Sequence, residues 1–140
     1  MATIFSKIIA GEFPGRFVWK DAHAVAFLSI HPLHRGHVLV VPRAEIDHWI
    51  DLDPLLAAHL MQVARSIGQA LQTAFRPKRV GLMIAGFEVP HTHLHVVPID
   101  GMQHLDFSQI DTKAKPEDLD DAAKRIRDEL RALGCADVAG

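Results

Sequence analysis

Histidine occupies every second position of His91-Thr92-His93-Leu94-His95, and the β-branched pair Val96-Val97 and then Pro98 follow. Residues two apart share one face of an extended strand. The alternation therefore predicts a strand over His93–Pro98, with His91, His93 and His95 on one side and Thr92, Leu94 and Val96 on the other. The polar face of a half-buried strand ordinarily carries Thr, Lys, Glu and Ser. Here it carries three imidazoles, in a chain with 10 histidines and no tyrosine among 140 residues. Two chemistries suit such a face. Two imidazoles on one strand face can bind zinc with a third ligand from nearby, for which Glu88 is a candidate. Alternatively, a neutral imidazole attacks phosphorus while its neighbours stabilise charge growing on the phosphoryl oxygens. The residues by themselves leave both open, although His93 alone has a histidine on each side.

The remaining pattern supplies a frame for that strand. Ile4–Ala10, ended by Gly11, reads as a short helix, and Phe13-Pro14-Gly15 as a turn. Arg16–Lys20 and Ala24–Leu28 read as a hairpin, and Val38–Val41, stopped by Pro42, as a buried strand. Asp53-Pro54 is a helix start, an N-cap and then a first helical residue. Leu56, Leu60, Val63, Ala64, Ile67, Leu71 and Phe75 then fall on one helical face before Pro77. Val80–Ala85 is a further strand, Gly86–Pro90 a loop and Leu105–Lys115 a polar connection. From Pro116, the residues Leu119, Ala123, Ile126, Leu130 and Leu133 draw a narrow apolar stripe on a charged helix closed by Gly134. Strands gathered in runs with few helices between them imply an α+β fold with a mainly antiparallel sheet. Residues 1–105 then make up the domain proper, and 106–140 a connection and terminal helix docked on the domain or on a second subunit.

Charge and apolar content narrow the partners. A formal net charge of −2 gives no electrostatic case for nucleic acid or for an anionic membrane surface. No apolar stretch approaches a membrane span, and Met1–Ser6 lacks the layout of a secretory signal, so the expected location is the cytoplasm. Cys135 is the single cysteine and has no partner for an internal disulfide.

His91-Thr92-His93-Leu94-His95-Val96-Val97 resembles the His-x-His-x-His-x-x signature of the histidine triad (HIT) nucleotide-binding hydrolases and transferases. Two further blocks agree in order and spacing. Ile4-Phe5-Ser6-Lys7-Ile8-Ile9-Ala10-Gly11-Glu12 is similar to the family's amino-terminal segment. Phe27–Pro32 followed by Gly36-His37-Val38-Leu39-Val40-Val41-Pro42 is similar to its second block. Three ordered blocks are far more specific than one short motif. The resemblance implies a HIT-like fold, a homodimer, and a nucleotide hydrolase or phosphoramidase that needs no metal or other cofactor. Its substrate would be an adenosine phosphoramidate or a dinucleoside polyphosphate, attacked at the α-phosphate through a nucleotidyl–histidine intermediate. By position, His93 is the nucleophile, its Nδ1–H held by a carbonyl so that Nε2 is free. His95 contacts phosphate, His91 orients its neighbours, and His37 completes the group. The nucleoside pocket would use Ile4, Phe5, Ile8, Phe27, Leu28, Ile30 and Leu39. A nucleotide-binding module with little turnover and a His-cluster metalloprotein are the alternatives.

The chain departs from the family pattern at four places. Ser29 stands where many relatives have an Asp that grips both ribose hydroxyls; a hydroxyl is the weaker partner, and His31 is the candidate to support it. Thr3 and Ser6 replace a Cys-x-x-Cys zinc pair of some bacterial relatives, so that zinc site is not expected. Glu88 replaces a small hydroxyl residue near the leaving group, where a carboxylate repels phosphate unless paired or protonated; it is expected either to pair with Arg35 or a histidine, or to donate a proton to the leaving group. His34 and Arg35 precede Gly36 where relatives have Pro and small residues.

Overall fold

The computed structural model describes residues 2–140; Met1, the first residue of the segment searched for a secretory signal, lies outside the described residues. Strands β1 (Phe17–Lys20), β2 (Ala24–Leu28), β3 (Val38–Pro42), β4 (Arg79–Met83) and β5 (Leu94–Ile99) form one sheet in the order β1-β2-β3-β5-β4. Every neighbouring pair is antiparallel, which bears out the α+β expectation. Three helices accompany it: α1 (Ile4–Ile9), α2 (Pro54–Phe75) and α3 (Pro116–Ala132). Among the described residues, no helix is long and apolar enough to cross a membrane.

Local chemistry sets the helix ends. The Thr3 hydroxyl caps α1 by accepting the Ser6 N–H, and the Asp53 carboxylate caps α2 by accepting the Leu55 N–H. Helix α2 stops at Arg76, whose left-handed backbone (φ 49°) leads into Pro77, a residue that cannot continue a helix.

Strand alternation divides the side chains between two layers. Ala24, Ala26, Leu28, Val38, Val40, Leu94 and Val96 pack with Leu60, Val63, Ile67 and Leu71 of α2, and Ile126 and Leu130 of α3 join them. Each Val, Leu or Ile side chain among them contributes about 1.5–3 kcal/mol when fully buried. On the opposite face Val25, Phe27, Leu39 and Val41 meet Phe5, Ile8 and Ile9 from the α1 segment. Further along that face Leu33, Val97 and Ile99 meet Leu105, Phe107 and Ile110.

Several boundaries differ from the sequence expectation, four of them with a bearing on the site. Strand β5 begins at Leu94, so His91 and His93 precede it. The reason is a diverted backbone: the N–H and hydroxyl of Thr92 both donate to the Ile46 carbonyl rather than to the neighbouring strand. Strand β4 ends at Met83, not Ala85. Strand β3 runs through Pro42, which sits at its end opposite Ala24, a position where a missing N–H is tolerated. The connection read as polar, Leu105–Lys115, begins at the last residue of a short 3-10 turn, Met102–Leu105, contains a second, Phe107–Gln109, and anchors through its apolar residues.

Candidate active site

One row of side chains crosses the sheet on the face away from α2. Cross-strand partners Phe17, Phe27, Leu39, His95 and Met83 follow one another from β1 to β4. The row gives an apolar floor with one imidazole set into it. Phe5 rises over this floor, edge-on to Phe27, to His91 and to His93, with ring centres 5.6, 5.9 and 4.9 Å away. His93 in turn meets His95 edge-on at 4.9 Å, and Phe107 closes the far side of His95 at 5.1 Å.

Hydrogen bonds fix which nitrogen of each ring carries its proton. The Leu33 N–H donates to His37 Nδ1 at 3.0 Å, so a neutral His37 has its proton on Nε2. That Nε2 lies 3.0 Å from His95 Nδ1 and donates to it. The proton of neutral His95 is thereby placed on its own Nε2, a buried atom with no hydrogen-bond partner. His93 Nδ1 lies 2.7 Å from the His91 carbonyl. A carbonyl only accepts, so Nδ1 carries the proton and His93 Nε2 keeps its lone pair. The site thus sets one lone pair, on His93, beside one unpaired donor, on His95.

Burial keeps His37, His91 and His95 neutral. Desolvation first, then the neighbouring His95 and His93 rings, hold His37 down at about 3. Desolvation and then His93 hold His95 down at about 4, with Glu88 pulling the other way. His91 is lowered too, chiefly by burial and against the pull of the Pro42 carbonyl and Glu45.

Local backbone explains the placement of His37. Gly36 has φ +93°, and a β-carbon there would lie 2.6 Å from the Phe75 ring, so glycine alone admits this approach. His91 is locked from two sides. Its Nε2 donates to the Pro42 carbonyl at 2.8 Å, and the Thr3 hydroxyl donates to its Nδ1 at 2.8 Å. Glu45 ties the same corner, accepting the Thr3 N–H and the Ser6 hydroxyl at 2.7 Å each. Thr3 and Ser6 thus form part of a hydrogen-bonded network.

The structure changes the ligand set of the metal alternative. Both His91 nitrogens are engaged, so it has no lone pair to offer. Ligand atoms of Glu88, His93 and His95 do lie within 4.8 Å of one another. The chain of bonds from Leu33, however, makes His95 Nε2 a donor, and a metal ligand must present a lone pair.

Other expected residues divide. Phe5, Ile8, Phe27 and Leu39 come together on the histidine face. Leu28 does not: strand alternation turns it into the core under α2. Ile4 and Ile30 are exposed, at 50% and 62%. Ser29 is partly buried and its N–H donates to the His37 carbonyl, whereas His31 is exposed. Arg35 pairs with Asp121 of α3 and lies over Phe75, and so is not the partner of Glu88. Glu88 instead faces His93, its Oε2 3.5 Å from Nε2. The Leu33 N–H, the Pro42 carbonyl, Glu45 and Phe107 escaped the sequence reading. The first two are backbone groups, which residue type does not reveal. Glu45 and Phe107 sit in segments without periodicity, though an aromatic in a stretch read as polar was a usable signal.

A cleft of about 590 Å³ lies elsewhere, lined by His34, Arg35, Phe75, Arg76 and Arg125 among others. His93 itself is 2% exposed, and the half-exposed Glu88 side chain stands over its free nitrogen.

A triad of imidazoles on an α+β scaffold of this topology defines a class of protein, and the comparisons agree. Residues 10–102 match the HIT domain, and the chain belongs to the HIT family. It is 33% identical over 138 residues to protein hit of Bacillus subtilis, covering 91% of this chain and 93% of that one. It is 30% identical to the asymmetrical bis(5'-nucleosyl)-tetraphosphatase of Schizosaccharomyces pombe, across 76% of this chain and 58% of the yeast protein. A zinc-bound histidine triad family protein from Mycobacterium smegmatis superposes with a TM-score of 0.82 at 26% identity, covering 98% of this chain and 99% of that one.

Proposed function

We propose that this chain hydrolyses nucleoside phosphoramidates or dinucleoside polyphosphates through a nucleotidyl intermediate on His93. The observation that carries this reading is the pairing of a free Nε2 lone pair on His93 with the unpartnered Nε2–H of His95. The first is what attack on phosphorus needs; the second stabilises a phosphoryl oxygen as charge develops there. In the first step His93 Nε2 forms a bond to the α-phosphorus. The bond to the leaving group breaks, and its electron pair departs on the leaving nitrogen or oxygen, which takes one proton from solvent. In the second step water bonds to phosphorus. The Nε2–P bond breaks, its pair returns to Nε2, and the proton goes back to solvent. His37 keeps His95 in its donor form, and His91 holds His93 through its carbonyl. Phe5, Ile8, Phe27 and Leu39 offer an apolar surface to the base. The working unit is a homodimer in the cytoplasm, with residues 106–140 as an appendage to the catalytic domain.

The test is mass spectrometry after brief exposure to adenosine 5'-phosphoramidate or diadenosine tetraphosphate and acid-free quenching. The expected result is one nucleoside monophosphate on the peptide that holds His93, absent in His93→Ala. Turnover that survives His93→Ala overturns the reading. Tight nucleotide binding with neither adduct nor turnover marks a binding module, the reading that the burial of His93 favours second.

A further inference from the structure

The two substrate classes differ in the charge of what leaves, and one residue of this chain is placed to sense that difference. Glu88 Oε2 lies 3.5 Å from His93 Nε2. Reacting atoms in a near-attack arrangement are about 3–3.5 Å apart. The carboxylate therefore stands at the distance an α-phosphorus must take. A substrate has to push Glu88 aside and then react with it alongside. Glu88 can yield: its side chain is 46% exposed, and it belongs to the turn Gly86–Pro90, where Gly86 has φ +91°. Among the described residues no lysine or arginine pairs with it, and its ion-pair contact is His93. Arg35, the nearest basic residue in sequence to the triad's loop partner His37, is held by Asp121. Among the described residues, the side-chain groups acting on His37, His91 and His95 are other histidines, Glu45 and Glu88, with no lysine or arginine.

We propose that Glu88 sets leaving-group specificity, admitting nucleoside phosphoramidates whose leaving amine carries a positive charge and disfavouring polyphosphate leaving groups. The inference rests on His93 being the nucleophile. A dinucleoside polyphosphate brings two or more negative charges past this half-exposed carboxylate, and like charges at close range repel. An amine that bears an ammonium group, such as the phosphoramidate of a diamine or of lysine, meets the same carboxylate as an ion-pair partner. Glu88 orients and selects; it forms no bond to phosphorus. In the step it influences, the P–N bond breaks, the electron pair stays with the amine nitrogen, and that nitrogen takes its proton from solvent.

The experiment compares wild type with Glu88→Gln, which keeps shape and removes one charge, on three substrates: the adenosine phosphoramidate of a diaminoalkane, the simple adenosine 5'-phosphoramidate, and diadenosine tetraphosphate. The His93 adduct is measured in parallel. For Glu88→Gln, kcat/KM falls about tenfold on the diamine substrate and rises about tenfold on the tetraphosphate, each about 1.4 kcal/mol. The simple phosphoramidate moves least. The change in selectivity shrinks as salt is raised, as a charge effect must. If the ratio between diamine and tetraphosphate substrates stays within twofold while the His93 adduct still forms, the specificity role is overturned and His93 stands. If no adduct forms on any substrate, the nucleophile assignment fails first and the Glu88 inference falls with it.

Discussion

On the helix side of the sheet, Val38, Val40, Leu94 and Val96 pack against α2, and contact with other apolar groups is all these side chains require. On the other side, the adjacent residues Leu39 and His95 lie in a surface where histidines are as buried as those valines, but each depends on a named partner. The two surfaces share the same strands, so the difference lies in the kind of satisfaction each side chain needs. An aliphatic side chain tolerates any close-packed neighbour of suitable volume. A buried imidazole needs a donor or an acceptor at a fixed place, or it loses about 1–3 kcal/mol. The helix side therefore supplies stability, and the histidine side holds a chosen arrangement of protons.

The sharpest way to break this comparison is a pair of substitutions, one per face. His93→Ala lowers kcat/KM for adenosine 5'-phosphoramidate by about a thousandfold or more, roughly 4 kcal/mol of transition-state stabilisation. It costs about 1 kcal/mol of unfolding free energy, read by urea titration, because one buried carbonyl loses its donor. Ile67→Ala, fully buried under the sheet, does the reverse. It lowers stability by about 3–4 kcal/mol through the cavity it leaves, while kcat/KM per folded molecule stays within about twofold. If Ile67→Ala cuts the rate as deeply as the fold, the two faces are not separable.

Acid separates the faces next. His37 and His95 are held at about 3 and about 4 when folded, against 6.5 for a free imidazole. Between about 6.5 and those lower values the unfolded chain binds protons that the folded chain refuses. The stability they contribute is complete above about 6.5 and is lost as pH falls through the folded values. Each group contributes a slope of up to about 1.4 kcal/mol per pH unit, so the pair costs about 2 kcal/mol between pH 6 and pH 5. Urea midpoints at the two values measure it. Ile67→Ala, altered only on the helix side, keeps the wild-type slope; His37→Asn shows about half of it. Equal slopes in all three proteins remove the histidine face as the origin.

The helix side was the more legible in the sequence, for the same reason. Periodicity reports apolar burial, and Leu60, Val63, Ile67 and Leu71 announced both their helix and its buried face. The histidine alternation announced a shared surface, and His95 does lie on the strand. It did not announce that Thr92 draws the backbone to Ile46, which starts the strand after His93. The proton arrangement was legible only in part. That Nδ1 of His93 meets a carbonyl followed from the chemistry of a nucleophilic imidazole. That the chain of bonds begins at the Leu33 N–H could not be read, since a backbone group looks the same at every residue. Glu88 was visible as a residue out of pattern, yet its partner was settled by distance: Arg35 was close in composition and His93 in space.

The smallest effect tests the outer edge of the histidine face. Thr3 does two jobs with one hydroxyl: the oxygen accepts the Ser6 N–H that starts α1, and the proton goes to His91 Nδ1. Thr3→Val keeps the shape and removes both. The lost cap and the unpaired imidazole nitrogen together cost about 1–2 kcal/mol of unfolding free energy, read by urea titration. Thr3→Ser restores most of it. Activity falls only about two- to threefold, because His91 still donates from Nε2 to the Pro42 carbonyl and its own carbonyl still holds His93. Nitrogen-15 chemical shifts of the His91 ring read the outcome directly: the proton stays on Nε2 in all three proteins. A proton found on Nδ1 in Thr3→Val would mean that the hydroxyl, and not the carbonyl of Pro42, chooses the tautomer. The orientation of His93 would then depend on the α1 cap as well, and the rate loss would approach that of a direct substitution in the triad.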